Sequence, residues 1–571
     1  FMEGVMCKRI ANVLIGSFLI ALILTPTISS ARIYLFDKKL EINGSIEQKA
    51  NWKYTLKDWE RGRGDNNPNG IKSNGGRYPS RGTPTLFKTH LHLEGLYHAY
   101  NDGESLLDVF GLFEWFYDWG PGMTGSYNRG QRARDRQAFK TPTDWYDIVR
   151  ELYVNYVSGP WTLRLGKQMV VWGETSLQRT ADVVNPVDIR SHMMGVDDWE
   201  DFKKGLWMFR GFYQTSFAND LTFEVIWVPA DFKAVSPSPE GTMYNSTYTG
   251  GFTSQLFNKW DDDLIDPKGL SDSQGGFRIR GFNWDWDWTF IYYSGYDPGP
   301  VVIDWGQPGR NGYRPQTGPG YALYRDGLGG FNLWAAEYNI NADLGKPPIG
   351  RPDARMFDYK RVNNFGVTAT KYVYKMPFFG LFEIPLKANV RFEAAYKLGV
   401  SFNNGHFDPS GEEWIVDGIS KRDVFGYALE VGKDLMPQFI CRYNGQRSVD
   451  VTLGLYQDWI INGTSKIFKD SYGRGGGNKD STSFSLSVVT DWINNELRTH
   501  LNCSYNTQGY GNIWTHFMYA PGVHWRFTLL PRYTWSNRGP FNNHGDTPAY
   551  RGYTEYSDTN NYIHFKVGYL F

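Results

Sequence analysis

Residues 40–54 read Leu-Glu-Ile-Asn-Gly-Ser-Ile-Glu-Gln-Lys-Ala-Asn-Trp-Lys-Tyr. Every second residue is apolar or small: Leu40, Ile42, Gly44, Ile46, then Ala50, Trp52 and Tyr54, with Gln48 the one polar member. Between them stand Glu41, Asn43, Ser45, Glu47, Lys49, Asn51 and Lys53. Successive side chains of a strand point to opposite faces, so this is a strand with one apolar and one wet face. The pattern recurs at residues 386–397, where Leu386, Ala388, Val390, Phe392, Ala394 and Tyr396 alternate with Lys387, Asn389, Arg391, Glu393, Ala395 and Lys397.

Such runs continue to the last residue, and the connections between them come in two kinds. Short turns hold Asn101-Asp102-Gly103, Ser158-Gly159-Pro160, Ala218-Asn219-Asp220, Asn494-Asn495 and Pro521-Gly522. Between them fall long stretches near 55–84, 119–146, 172–204, 230–275, 295–362, 398–422, 460–481 and 536–560. A sandwich of two sheets also alternates, but short turns at one end and long loops at the other belong to a transmembrane antiparallel up-and-down β-barrel. About 18 strands are expected. Sixteen is the alternative, because 276–294 reads as one strand or two and 438–444 is an apolar run placed in a turn.

Composition agrees with a barrel. Aromatic residues are 17% of the chain while mean hydropathy is −0.49. A soluble core is built mainly from aliphatic side chains, whereas a membrane barrel combines aromatic girdles with a polar interior. Lys and Arg number 60 against 60 Asp and Glu, so no basic excess exists to hold phosphate backbones and nucleic acid is not an expected partner.

The N-terminus reads as a signal peptide over residues 1–31: Lys8 and Arg9, an apolar run at 10–24, and Ser29-Ser30-Ala31 before the cut. The run is short of the ~20 residues a spanning helix needs. Residues 32–571 are then one barrel domain, and a chain with no other long apolar helix enters a membrane only as a closed barrel. Cys7 belongs to the leader, so Cys441 and Cys503 are too few for a disulfide framework. At the far end Ile563, Phe565, Val567, Tyr569 and Phe571 alternate and finish on an aromatic, which resembles the closing-strand signal read by barrel-assembly machinery. Tyr569 and Phe571 are its expected carriers.

Two stretches resemble a known family. They are Leu165-Gly166-Lys167-Gln168-Met169-Val170-Val171-Trp172-Gly173-Glu174-Thr175 and Val184-Asn185-Pro186-Val187-Asp188-Ile189-Arg190. A strand ending in Leu-Gly-Lys-Gln, a Trp-Gly-Glu and a following Asn-Pro-x-Asp are similar to the porin-like proteobacterial outer-membrane family known as domain of unknown function 1302. The resemblance implies a leader followed by one barrel over nearly the whole chain. It implies little about activity: members are presumed to move apolar compounds or to accompany envelope export systems.

The same region has a physical reading of its own. It leads from the fifth strand into the third long loop, the place where a porin loop folds inward. A loop near 172–204 would then set Glu174, Asp182 and Asp188 against Arg179 and Arg190 across a constriction, with Trp172 at its start. Gly173 would permit the sharp turn inward. The plainer reading is a surface loop in which Asn185-Pro186 is only a turn.

Residues 85–98 put Lys88, His90, His92, Glu94 and His98 on one face. Two His with a carboxylate can ligate a metal, but this is also the wet face, where such residues are ordinary lining. No metal site and no cofactor is expected. Trp284, Trp286 and Trp288 alternate with Asn283, Asp285 and Asp287, and are expected in a girdle or turn. No G-x-S-x-G, H-E-x-x-H or P-loop is present, so an enzyme is not expected.

The leading expectation is a passive channel for small solutes, apolar compounds among them, in the outer membrane of a Gram-negative bacterium with both termini periplasmic. Its partners would be outer-membrane lipid, an unknown solute and the assembly machinery. The alternative is a structural or partner-binding protein of an envelope complex with a plugged lumen.

Overall fold

In a computed structural model of the chain the described residues are 32–54, 84–120, 141–142, 145–176, 179–187, 199–215, 220–232, 269–297, 301–302, 322–324, 357–378, 382–407, 413–437, 449–463, 467–468, 480–493, 495–507, 510–536 and 561–571. The leader expected over 1–31, Cys441, Asp188 and Arg190 lie outside them.

Eighteen strands make one closed antiparallel barrel. They are β1 (Leu40–Lys53), β2 (Pro84–Asn101), β3 (Ser105–Asp118), β4 (Val149–Ser158), β5 (Trp161–Gln168), β6 (Leu206–Gln214), β7 (Thr222–Val228), β8 (Gln274–Asn283) and β9 (Trp286–Tyr296). The wall continues through β10 (Arg361–Val373), β11 (Ala388–Phe407), β12 (Glu413–Leu435), β13 (Val449–Ile460), β14 (Asp480–Trp492), β15 (Leu497–Asn506), β16 (Tyr510–Tyr519), β17 (Trp525–Ser536) and β18 (Tyr562–Leu570). Each pairs with its neighbour in sequence, and β18 closes on β1 from Ser45 opposite Leu570 to Lys53 opposite Tyr562. Closure leaves no free edge in the wall. One extra strand, Ile33–Leu35, folds back on β1.

Register then assigns every side chain to one of two faces. On β7 Glu224 is 1% exposed, while its neighbour Val225 is 52% exposed. Phe223 and Trp227 share the exposed face with Val225. Leu165, Leu453 and Phe484 are likewise exposed, whereas Glu393, Glu430, Lys88 and His90 are buried. This is the reverse of a soluble globule. At the short-turn end, Trp161 packs on Tyr213 with ring centroids 4.5 Å apart, and Trp525 on Tyr569 at 5.1 Å. Aromatics concentrated at a strand-end rim form a girdle.

The turns follow their residues. Gly159 takes φ 54 in the two-residue link between Ser158 and Trp161. Trp284 and Asp285, with φ 52 and 62, form the tight turn between β8 and β9, so residues 276–294 are two strands. Trp284 is 88% exposed there, and Trp286 and Trp288 lie on β9. The stretch 398–422, expected as a long loop, is mostly strand: β11 and β12 stay paired out to Phe407 opposite Trp414. Irregularities after Lys397 and Asn404 break the alternation there.

The seam depends on one close approach. Gly44 and Phe571 exchange backbone hydrogen bonds of 2.9 Å, and a Cβ on Gly44 would lie 2.5 Å from the His92 carbonyl oxygen. Gly44→Val is therefore expected to remove most of the folded, heat-modifiable band on unheated gels. A full wild-type band would show that the seam can absorb the side chain.

Candidate functional site

β5 ends at Gln168, and the chain then leaves the wall without leaving its inner face. Asn185 fastens the segment at both ends. Its carboxamide oxygen accepts from Val170 N at 2.7 Å, and its NH₂ donates to the carbonyls of Gln168 (3.1 Å) and Lys204 (2.8 Å). Lys204 N donates to the Pro186 carbonyl at 2.9 Å. Lys203 Nζ donates to the Val170 carbonyl at 2.7 Å and pairs with Asp182, which also accepts from Trp172 N.

The middle of the segment is held from the far wall. Glu393 on β11 accepts four hydrogen bonds: from Glu174 N, Thr175 N, Thr175 Oγ1 (2.7 Å) and Ala181 N (3.0 Å). Glu430 on β12 accepts from Ser176 N at 2.9 and 3.0 Å and from Tyr456 Oη at 2.7 Å. Arg391 lies 3.5 Å from Glu430 and donates to Ser176 Oγ. These strands are six and seven places round the wall from β5 (5 to 11, 5 to 12). A carboxylate that gathers several N–H donors holds a chain segment strongly, because each bond is charge-assisted.

The near wall supplies apolar packing. Val170, Trp172, Ala181 and Val184 of the segment form one cluster with Leu206 and Met208 of β6, Ile226 and Val228 of β7, and Ile291 and Tyr293 of β9. Trp172 meets Tyr293 edge to face at 6.2 Å, and its Nε1 donates to Glu224 Oε1 at 3.2 Å. Glu224 also takes Arg210 Nε at 2.5 Å and Arg278 Nε at 2.7 Å.

The family model described as a protein of unknown function, DUF1302, matches residues 55–571. The chain belongs to that family. No curated protein matches it in sequence. Among solved structures it is similar to Pseudomonas aeruginosa OpdK with vanillate, at 9% identity and TM-score 0.41 over 94% of this chain and 99% of that one. Acinetobacter baumannii OccAB1 gives 10% identity and TM-score 0.42 over 95% and 98%. Salmonella typhi OmpF with daunomycin gives 10% and 0.35 over 95% and 100%.

In this DUF1302 chain the residues singled out from sequence fall in different environments. Trp172 is fully buried in the apolar cluster, and Asp182 is buried against Lys203. Arg179 turns back to donate to the Thr175 carbonyl at 3.1 Å. Glu174 contributes its backbone N–H to Glu393. A Cβ on Gly173 would lie 2.7 Å from Arg179 Cβ and 3.2 Å from Glu393 Oε1, so this glycine allows a close approach to the far-wall carboxylate.

The His face holds three separate pairings. His90 lies 2.8 Å from Glu114 and 3.5 Å from Glu47, His92 3.3 Å from Glu94, and His98 2.8 Å from Asp108. Among the described residues no group of three or more His, Cys, Asp or Glu could hold a metal ion. Tyr569 lies in the aromatic rim beside His524 and Trp525. Sequence reasoning did not single out Glu224, Glu393 and Glu430; their one signal is a carboxylate in the inward register of an alternating strand.

Proposed function

We propose that this barrel sits in the outer membrane, with its short turns and both termini on the periplasmic side, and lets small solutes pass by diffusion. Segment 169–187 narrows the lumen in this reading. The observation that carries it is the set of hydrogen bonds from Glu393 and Glu430 to the backbone of residues 174–181, which ties the segment across the inside of the wall. An apolar outer face with an aromatic rim suits lipid, and an inner face carrying paired charges suits water. Barrel-assembly machinery would insert such a chain. Charged groups around the narrowed section, Arg278, Arg280 and Arg391 among them, would sort solutes by charge.

The apolar cluster around Trp172 favours a second reading, in which the lumen is plugged and the long loops engage another envelope protein. Recordings from purified protein in planar bilayers distinguish the two. Discrete conductance steps are expected. Inserted, heat-modifiable protein that passes no current would overturn the channel and leave the plugged barrel.

A further inference from the structure

On the proposal that the barrel is a channel, its two sides differ in chemistry. The contacts of the inner segment described above fall on β6, β7 and β9 and on β11 and β12. Those walls carry Arg210, Glu224, Arg391, Glu393 and Glu430. Round the barrel, β14 has serine at every second position from 481 to 487, and register puts these on the same face as Tyr456, whose hydroxyl lies 3.4 Å from Ser485 Oγ. The next two strands continue that face with Asn502 and His500 on β15 and with Trp514 and His516 on β16. Ser487 Oγ and His500 Nε2 are 2.8 Å apart, and His500 meets Trp514 edge to face at 4.7 Å. Trp514 in turn packs on Leu86, Leu530 and Tyr562.

Two features give this field a ligand chemistry. Every polar side chain among Ser485, Ser487, His500, Asn502 and His516 both donates and accepts when neutral, which is what a hydroxyl group also does. Carboxylates and phosphates are gripped instead by fixed cations; among the described residues of β14–β16 this face carries one, Arg498, already paired with Asp491, while Arg532 and Lys566 stand on β17 and β18. Second, Asn502 is 3% exposed, and among the described residues its Nδ2 and the Nε2 of His516 have no hydrogen-bond partner. A buried polar atom left without a partner is costly, and in register Asn502 lies opposite Trp514 with His516 two residues along from it. The geometry points to a subsite for a small, neutral, polyhydroxylated solute on the β14–β16 wall, with Asn502, Trp514 and His516 as its specificity-determining residues. An apolar ring with a few directed polar groups beside it is the usual composition of a small-molecule site.

Proteoliposome flux of glucose and gluconate, both six-carbon and polyhydroxylated, the first a neutral ring and the second an open-chain carboxylate, tests this. Glucose is expected to enter faster than gluconate. Asn502→Ala and His516→Ala should each lower glucose flux about fivefold, the value of one hydrogen bond. Potassium chloride conductance should be unchanged in both, and His516→Gln, which keeps a donor and an acceptor, should restore the glucose flux. Gluconate entering as fast as glucose through a conducting wild-type channel would overturn the subsite alone. So would glucose flux unaltered in folded, conducting N502A and H516A. Absence of both conductance and flux in the wild type would overturn the channel reading and the subsite with it.

Discussion

Glu393→Ala is expected to raise single-channel conductance severalfold while leaving the barrel folded. Glu393 is fully buried and accepts four hydrogen bonds, all from the segment at residues 174–181. Bonds to a charged group contribute about 1.5–3 kcal/mol each. Removing the carboxylate forfeits them together and leaves three backbone donors to be rehydrated. Every 1.4 kcal/mol is about a tenfold change in an equilibrium, so loss of even part of this sum moves the segment from held to released. None of the four bonds belongs to the ladder between β11 and its neighbours, so the wall should survive. Glu393→Gln keeps the shape and one acceptor oxygen, and an intermediate conductance is expected. Amide exchange at Glu174, Thr175 and Ala181 supplies the independent reading: faster exchange should accompany the larger current. Unchanged conductance with unchanged exchange would mean that the apolar cluster around Trp172, not the carboxylate, positions the segment.

The wall was readable in the sequence because alternation is a local property. Leu40 to Lys53 announces β1 without help from any other strand, and the inward register of Glu393 is visible in residues 386–397 alone. What Glu393 holds was not readable, since its partners lie 212, 218 and 219 positions away and a sequence carries no mark of which wall faces which. The loop charges carry opposite signs, and signs alone do not show which residue meets which. Asp182 meets Lys203 in a site closed by both ends of the segment, and Trp172 is absorbed into packing. Asn185 was legible as a turn residue, and its carboxamide does more, joining the strand end at Gln168 to the return at Lys204. The stretch 398–422 failed for a mechanical reason: an irregularity after Lys397 shifts the register, so the alternation on either side no longer matches.

Lys203→Met is expected to loosen the segment as strongly as loss of the far-wall carboxylate, but from its other end. The side chains of Lys203 and Asp182 are each 1% exposed. Lys203 also donates to the Val170 carbonyl, so one ammonium group fixes the first residues after β5 and the acid that receives Trp172 N. Removing one member of a buried pair costs about 3–5 kcal/mol, because the remaining charge has been stripped of water and keeps less than its compensation. Replacing both members removes that residual charge, and the double variant Lys203→Met with Asp182→Leu should cost less than Lys203→Met alone. Amide exchange at residues 170–187, measured against β6 and β7 as internal reference, should therefore be fastest in the single variant and intermediate in the double. Equal protection in all three proteins would assign the anchoring to Asn185 and the apolar cluster. A double variant no better protected than Lys203→Met would show instead that the Asp182 carboxylate is retained for its bond to Trp172 N, with its charge already satisfied from elsewhere in the segment.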